Sequence, residues 1–245
     1  MKKVLMVFVA LSLCAIATKA QDRPVFDHSG TFFIAAQGGA SYSVNENYYT
    51  YRDAGKKAQL FQPGGGISVG YWFNPEWGVR LAGNYGHNRS ALNLKDYERV
   101  SGGTAQFCPY EFKSITTFVD VLIDVKGIKG NIGRWRPIIF GGIGYGHSFD
   151  LGPCKDSPQP YCDNHWQWAY ITDPNNVVGI RFGGILEYTL PNGLGFFGEI
   201  TGEAYTDRFN GLQPTEKNNQ FVASGIAGFP FDCRAFANFG VSFHF

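Results

Sequence analysis

The chain has 245 residues, 21 basic and 20 acidic side chains, a formal net charge of +1 and an aromatic fraction of 16%. This length suits one large domain or two small ones. The charge offers no basic excess for nucleic acid, so a nucleic-acid partner is excluded.

Residues 1–20 have the pattern of a secretory signal peptide. A basic start is followed by the almost wholly apolar residues 4–17, and small residues precede a cleavage point at Gln21. The apolar segment is too short for a lasting membrane helix, which makes a membrane anchor the weaker alternative. Cleavage removes three lysines and no acids, so Lys+Arg falls from 21 to 18 against 20 Asp+Glu and the net charge becomes about −2.

Residues 21–29 are expected to form a short N-terminal segment, and residues 30–245 one domain made of strands. Apolar and polar side chains alternate, as where Val119, Val121 and Ile123 alternate with Asp120 and Leu122. A period of two is typical of strands with two unlike faces, and helical spacing is absent over any useful length. The pattern predicts eight strands, at about residues 30–44, 60–73, 78–90, 111–126, 135–149, 177–190, 194–208 and 232–245.

The connections between these strands fall into two sets. Those after the second, fourth and sixth strands are short and rich in turn formers, and the other four are long. This layout is typical of an outer-membrane barrel, with both termini on the short-turn, periplasmic side and four long extracellular loops. The predicted fold class is therefore all-β, a transmembrane 8-stranded antiparallel up-and-down β-barrel whose apolar face meets lipid.

Aromatic residues near the predicted strand ends suit the two membrane interfaces, because each ring has one apolar and one wet end. At the periplasmic end the expected girdle comprises Trp72, Phe73, Trp77, Trp135, Tyr188 and Phe245. At the outer rim it comprises Tyr42, Tyr85, Tyr145 and Phe209.

The face opposite the apolar one carries charges of both signs. A charge in a narrow lumen needs a partner, so these residues are expected to form a structural ion-pair network that fills the barrel. Its predicted members are Arg80, Asp120, Asp124, Arg181, Glu187, Glu199 and Glu203, with Arg234 near the outer rim. A gated ion pathway along the same residues is the alternative.

Catalysis has little support in the sequence. His147, Ser148 and Asp150 are close together, but adjacent residues of a strand point to opposite faces, so His147 and Ser148 do not meet easily. We therefore expect no enzyme activity, no catalytic residues, no metal site and no cofactor.

Four cysteines follow the signal peptide: Cys108, Cys154, Cys162 and Cys233. Their wide spacing argues against a zinc site, and export from the cytoplasm favours disulfides. Cys154 and Cys162 lie in one connection and are candidates for a local bridge. Cys108 and Cys233 are candidates for a second bridge, although connectivity does not follow from sequence.

The signal peptide, the eight alternating strands and the ending "FGVSFHF" resemble the small outer-membrane barrels of the outer-membrane protein A and X type. The stretch "GYWFNPEWGVRLAGNYG", residues 70–86, is similar to a hairpin of that family. The resemblance implies that the barrel assembly machinery reads the last strand at Phe239, Val241, Phe243 and Phe245. Two-domain members carry a peptidoglycan-binding domain after the barrel; none follows here, so a cell-wall tether is not expected.

The expected function is that of a non-enzymatic outer-membrane protein with a structural role, a surface-binding role, or both. The expected partners are outer-membrane lipid, the barrel assembly machinery and an extracellular ligand for loops such as "NENYYTYR" and "NHWQWAY". Three alternatives remain open: a lipid-modifying enzyme with Ser, His and an acid on one face, a narrow pore with an uncompensated lumen, and a soluble lipocalin-like carrier with an apolar interior.

Overall fold

The computed structural model describes residues 25–44, 55–91, 109–154, 174–206, 209–210 and 231–245. All eight predicted strands are present within these ranges, with bounds that differ by a few residues from the prediction. They are β1 (Thr31–Val44), β2 (Phe61–Trp72), β3 (Trp77–Ala91), β4 (Pro109–Asp124), β5 (Trp135–Pro153), β6 (Asn175–Thr189), β7 (Leu194–Thr206) and β8 (Phe231–His244). Two single-turn 3-10 helices occupy Lys57–Leu60 and Gly127–Lys129. Within the described ranges, no helix combines the length and the apolarity needed to cross a membrane.

The strands form one closed barrel. Each strand pairs antiparallel with its neighbours in the chain, and β1 pairs with β8 from Phe33 opposite His244 to Val44 opposite Cys233. Closure leaves no sheet edge with unpaired backbone groups, which is the requirement for a sheet in lipid. The predicted up-and-down barrel of eight strands is confirmed.

The barrel has two unlike ends. The three short connections join β2 to β3, β4 to β5 and β6 to β7, and together with the start of β1 and the end of β8 they define the short-turn end. The four long connections define the long-loop end. The turn between β2 and β3 is fixed by Asn74, whose side-chain oxygen accepts hydrogen bonds from the backbone N–H groups of Glu76 and Trp77 at 2.9 and 2.8 Å.

The two faces of each strand differ as the alternation predicts. Along β4, Phe118, Asp120 and Leu122 point inward and are buried, whereas Val119 and Val121 point outward and are exposed. Large exposed apolar side chains recur on the outward face of all eight strands. A continuous apolar belt of this kind is unfavourable in water and favourable in lipid.

Two glycines let β5 approach the inward side chains of β4 closely. A Cβ atom at Gly142 would overlap the Asp120 carboxylate, and one at Gly144 would overlap the Phe118 ring. The regular spacing of glycine in "FGGIGYG" therefore leaves room for the side chains of the neighbouring strand.

The predicted aromatic girdles are wrong for two residues. Trp72 shares the inward face of β2 with Ser68 and is buried beneath the Arg136 guanidinium, 4.1 Å from the ring centroid. Phe209 follows the end of β7 and is buried at the long-loop end of the barrel, where its ring stacks on Tyr205 with centroids 4.1 Å apart. Position near a strand end did not decide the direction in which either ring points, because inward packing against an arginine or a second ring is also favourable.

The last strand is held to its final residue. The Phe245 N–H donates to the Phe32 carbonyl, and the Phe32 N–H donates to the Phe245 carbonyl, both at 2.9 Å. The four residues of the predicted assembly signal all point outward and are exposed: Phe239, Val241, Phe243 and Phe245.

Candidate functional site

The candidate site is the polar interior of the barrel. All seven residues of the predicted network are buried within the lumen: Arg80, Asp120, Asp124, Arg181, Glu187, Glu199 and Glu203. The structure divides them into three layers along the barrel axis rather than one continuous network.

The central layer joins four charged residues from four strands. Arg80 donates through Nε to Asp120 Oδ2 at 2.8 Å and through Nη1 to Glu199 Oε2 at 2.6 Å. Arg181 donates through Nε to Asp120 Oδ1 at 2.6 Å and through Nη2 to Oδ2 of the same carboxylate. Two arginines therefore balance two carboxylates, and Asp120 is shared between both arginines.

The central charges rest on aromatic rings. The Arg80 guanidinium lies 4.4 Å from the Phe140 centroid, and the Arg181 guanidinium lies 4.7 Å from the Phe118 centroid. Cation–π contact is strongest where the cation is desolvated, as it is here. The rings also occupy the space that water would need to pass the arginines.

The layer nearest the long-loop end is centred on Arg234, which sequence analysis placed on the inward face near the outer rim. Its guanidinium donates to Glu203 Oε2 at 2.7 Å, to the Tyr205 hydroxyl at 3.0 Å and to Ser114 Oγ at 2.8 Å. The Phe209 ring covers this layer on its long-loop side, with the ring centroid 5.1 Å from the Arg234 guanidinium. The alternation of apolar and polar residues along β8 indicates this inward position, because Arg234 and Asn238 lie on the same polar face of the strand.

The layer nearest the short-turn end includes two residues that sequence analysis missed. Arg136 donates through Nε to Asp124 Oδ2 at 2.6 Å and lies 3.5 Å from Glu187 Oε2. His244 Nε2 lies 2.9 Å from Glu187 Oε1. Alternation with the apolar residues beside them could have assigned both Arg136 and His244 to the inward face.

His28 completes this layer from outside the strands. Its Nδ1 atom lies 3.1 Å from Nδ1 of His244, and its side chain is buried. The residues around His28 do not alternate between apolar and polar, so the sequence did not predict that His28 lies at the short-turn end of the barrel.

The free space that remains between the layers is small. One cavity of about 30 Å³ lies between the central and short-turn layers, lined by Trp72, Leu122, Phe197 and Arg80 among others. This volume holds one or two water molecules and no organic ligand. Around this cavity the described lumen is therefore filled by packed side chains.

The side chains of His147, Ser148 and Asp150 do not form a catalytic site. Ser148 points inward and is buried, whereas His147 lies on the outward face with Nδ1 2.8 Å from Asn176 Oδ1. Asp150 is exposed and pairs with Lys113 at 2.5 Å. Among the described residues, no group of three or more His, Cys, Asp or Glu side chains is suited to a metal ion.

The predicted disulfides fall partly outside the described residues, since Cys108 and Cys162 are not among them. Cys154 is buried at the end of β5, where its N–H donates to the Pro109 carbonyl at 3.2 Å. Cys233 is half-buried on β8, and it is not bonded to Cys154. Both bridges remain predictions.

A closed barrel of eight strands with an apolar exterior and an ion-paired interior defines the class of small transmembrane β-barrels. Similar solved structures belong to the same class. OprG, an outer membrane protein from Pseudomonas aeruginosa, has 13% identity and a TM-score of 0.51, over 90% of this chain and 98% of that chain.

Two further barrels are less similar in structure. A major outer membrane protein from Thermus thermophilus has 15% identity over 87% of this chain and 99% of that chain, with a TM-score of 0.48. Ail, the attachment invasion locus protein of Yersinia pestis, has 13% identity over 89% and 99%, with a TM-score of 0.43. No protein-family model and no curated protein matches the sequence. At these identities the likeness concerns the fold alone.

Proposed function

We propose that this chain is an integral protein of the bacterial outer membrane, in which a closed and non-enzymatic barrel anchors four long surface segments. The observation that carries the proposal is the combination of an apolar belt around all eight strands with a lumen filled by three ion-paired layers. The belt fits a barrel that resides in lipid, and the filled lumen fits an anchor.

The proposed topology follows from the two unlike ends. The short-turn end faces the periplasm and the long-loop end faces the exterior, as in other barrels of bacterial outer membranes. Residues 1–20 direct export and are cleaved before Gln21. The long connections, which carry "NENYYTYR" and "NHWQWAY", then contact an extracellular ligand or surface partner. These stretches lie outside the described residues.

Each alternative function lacks a feature that it needs. A lipocalin-like carrier needs an apolar internal cavity and a polar exterior, whereas the barrel here has an apolar exterior and ion pairs in its interior. A pore needs an open aqueous path, whereas the cavity between the central and short-turn layers holds no more than a few water molecules. A lipid-modifying enzyme needs Ser, His and an acid on one face, and Ser148 and His147 point to opposite faces.

The test is expression of the full chain in a Gram-negative host, followed by fractionation of the envelope. We expect recovery in the outer membrane, a mature mass that begins at Gln21, and a faster gel mobility without boiling than after boiling. A closed barrel resists detergent until it is heated, which explains the mobility difference. Recovery in the soluble periplasm with a single mobility would contradict the proposal and favour the carrier.

A further inference from the structure

A short N-terminal segment crosses the mouth of the barrel at the short-turn end. This mouth segment, residues 25–29, is followed by Gly30, whose N–H donates to the Trp72 carbonyl at 2.8 Å. The Thr31 N–H and hydroxyl both bond to the His28 carbonyl, at 3.2 and 2.7 Å. Within the segment, the Phe26 ring packs edge-on against His28 with centroids 5.0 Å apart.

The segment is held to the barrel by one pair of buried imidazoles. His28 and His244 are each 3% exposed, and their facing Nδ1 atoms are 3.1 Å apart, so only one of these two atoms carries a proton. His244 Nε2 faces the Glu187 carboxylate at 2.9 Å and therefore carries a proton. In the neutral pair, His28 Nδ1–H donates to His244 Nδ1, and His28 Nε2 has no partner among the described residues.

The charged groups around this pair come from the segment itself and from β4, β5 and β6. They are Asp27 on the segment itself, Asp124 on β4, Arg136 on β5 and Glu187 on β6. Burial, with the positive charge of Arg136 and the ring of His244 as further causes, lowers the pKa of His28 from 6.5 to about 2. His28 therefore stays neutral while the segment is closed.

The geometry offers no compensation for a proton on His28. Protonated His28 would carry N–H groups on both ring nitrogens, and its Nε2–H would have no acceptor among the described residues. The added charge would be buried near the Arg136 guanidinium, which has the same sign. Burial of such a charge is unfavourable, whereas release of the segment into water removes the penalty.

We propose that the mouth segment is a latch that acid releases from the short-turn end of the barrel, with the buried His28 side chain as its proton sensor. In the released state His28 is hydrated and regains an ordinary pKa near 6.5. The closed state is thus fully favoured above pH 6.5 and loses stability as the pH falls. The opening equilibrium constant should rise as the pH falls below 6.5, with a slope that approaches about tenfold per pH unit.

Hydrogen exchange measured by mass spectrometry on the full mature barrel in micelles tests this inference. The amide protection factors of Gly30 and Thr31, corrected for intrinsic exchange, should fall about 15-fold in total between pH 6.5 and 5. Amides of β4 serve as an internal reference and should keep constant protection, because their strand does not open.

The matched control is His28→Gln, which retains a donor toward His244 and cannot be protonated. Its protection at Gly30 and Thr31 should not depend on pH in this range. Constant protection in the wild-type barrel, or an equal slope in H28Q, would overturn the latch. A histidine NMR titration of the wild-type barrel is independent of the variant's folding. A His28 ring that is protonated at pH 5 while its segment stays protected would also overturn the latch.

Discussion

Arg80 and Arg181 both bond Asp120, but their removal has different consequences. Arg80 is the arginine partner of Glu199 as well as of Asp120, whereas the hydrogen bonds of Arg181 within the described part of the chain go to Asp120. Loss of Arg80 leaves Glu199 with the Thr201 hydroxyl, at 2.8 Å, in place of a cation. Loss of Arg181 leaves Asp120 with Arg80. The contribution of each arginine to the stability of the barrel thus depends on whether its carboxylate partners also bond a second cation.

We predict that Arg80→Met lowers the free energy of unfolding by about 3–5 kcal/mol, the usual cost of leaving a buried charge without its partner. Arg181→Met should cost less, about 1–3 kcal/mol, because hydrogen bonds are lost while the Asp120 charge stays paired. Urea unfolding of the refolded barrel, followed by tryptophan fluorescence, measures both. Lys113→Met is the control: it removes an exposed ion pair and should leave the unfolding midpoint unchanged. Equal losses for the two arginine variants would contradict the shared-carboxylate arrangement.

The residue types and their alternation along each strand were sufficient to place the predicted charges in the lumen. Asp120 and Arg181 could be assigned inward because each lies between two large apolar neighbours. Their partners could not be assigned, since the bonded atoms come from strands far apart in sequence. Arg80 and Glu199, for example, are separated by 119 positions.

At the scale of the element, β5 requires glycine on its inward face, where a side chain would overlap residues of β4. We predict that Gly142→Ala lowers the free energy of unfolding by about 1–3 kcal/mol, because the added methyl group overlaps Asp120 and the Val119 carbonyl. Gly141→Ala, one residue away on the outward face, is the control, since its Cβ meets nothing closer than 3.8 Å. Urea unfolding again provides the measurement, and a Gly142→Ala barrel as stable as Gly141→Ala would contradict the close approach of β4.

The last strand gives a second prediction at this scale, about assembly in the cell. Phe245→Ser should reduce the amount of barrel in the outer membrane several-fold while the purified, refolded protein keeps its heat-dependent mobility. Phe73→Ser is matched to it, because the two side chains are 61% and 59% exposed and both lie at the short-turn end. Similar losses for both variants would indicate lost lipid contact and would contradict a signal in the last strand.

At the scale of the whole molecule, the three layers close the lumen. We predict that the reconstituted barrel produces no discrete conductance steps in planar lipid bilayers, because arginine guanidiniums and aromatic rings block the path at three levels. A parallel preparation of an open porin verifies that barrels insert under the same conditions. Reproducible steps from the wild-type chain would contradict the closed lumen.

The sequence by itself determined the strands, their approximate bounds, the up-and-down order and the face that each residue occupies. These properties are local: a period of two and a turn former between strands act within a few residues. The girdle assignments of Trp72 and Phe209 are the exceptions at this level, because inward packing against an arginine or another ring outweighed position near a strand end.

Only the tertiary structure decided which charges meet, how they separate into layers and that His28 belongs to the site. Closure of the sheet brings β3, β4, β6 and β7 around one axis, and ion-pair geometry depends on atoms that are distant in the chain. The mouth segment shows the same limit, since nothing periodic surrounds His28 and its partner His244 lies 216 positions away. Side-chain direction is a property of the strand, whereas the choice of partner is a property of the closed barrel.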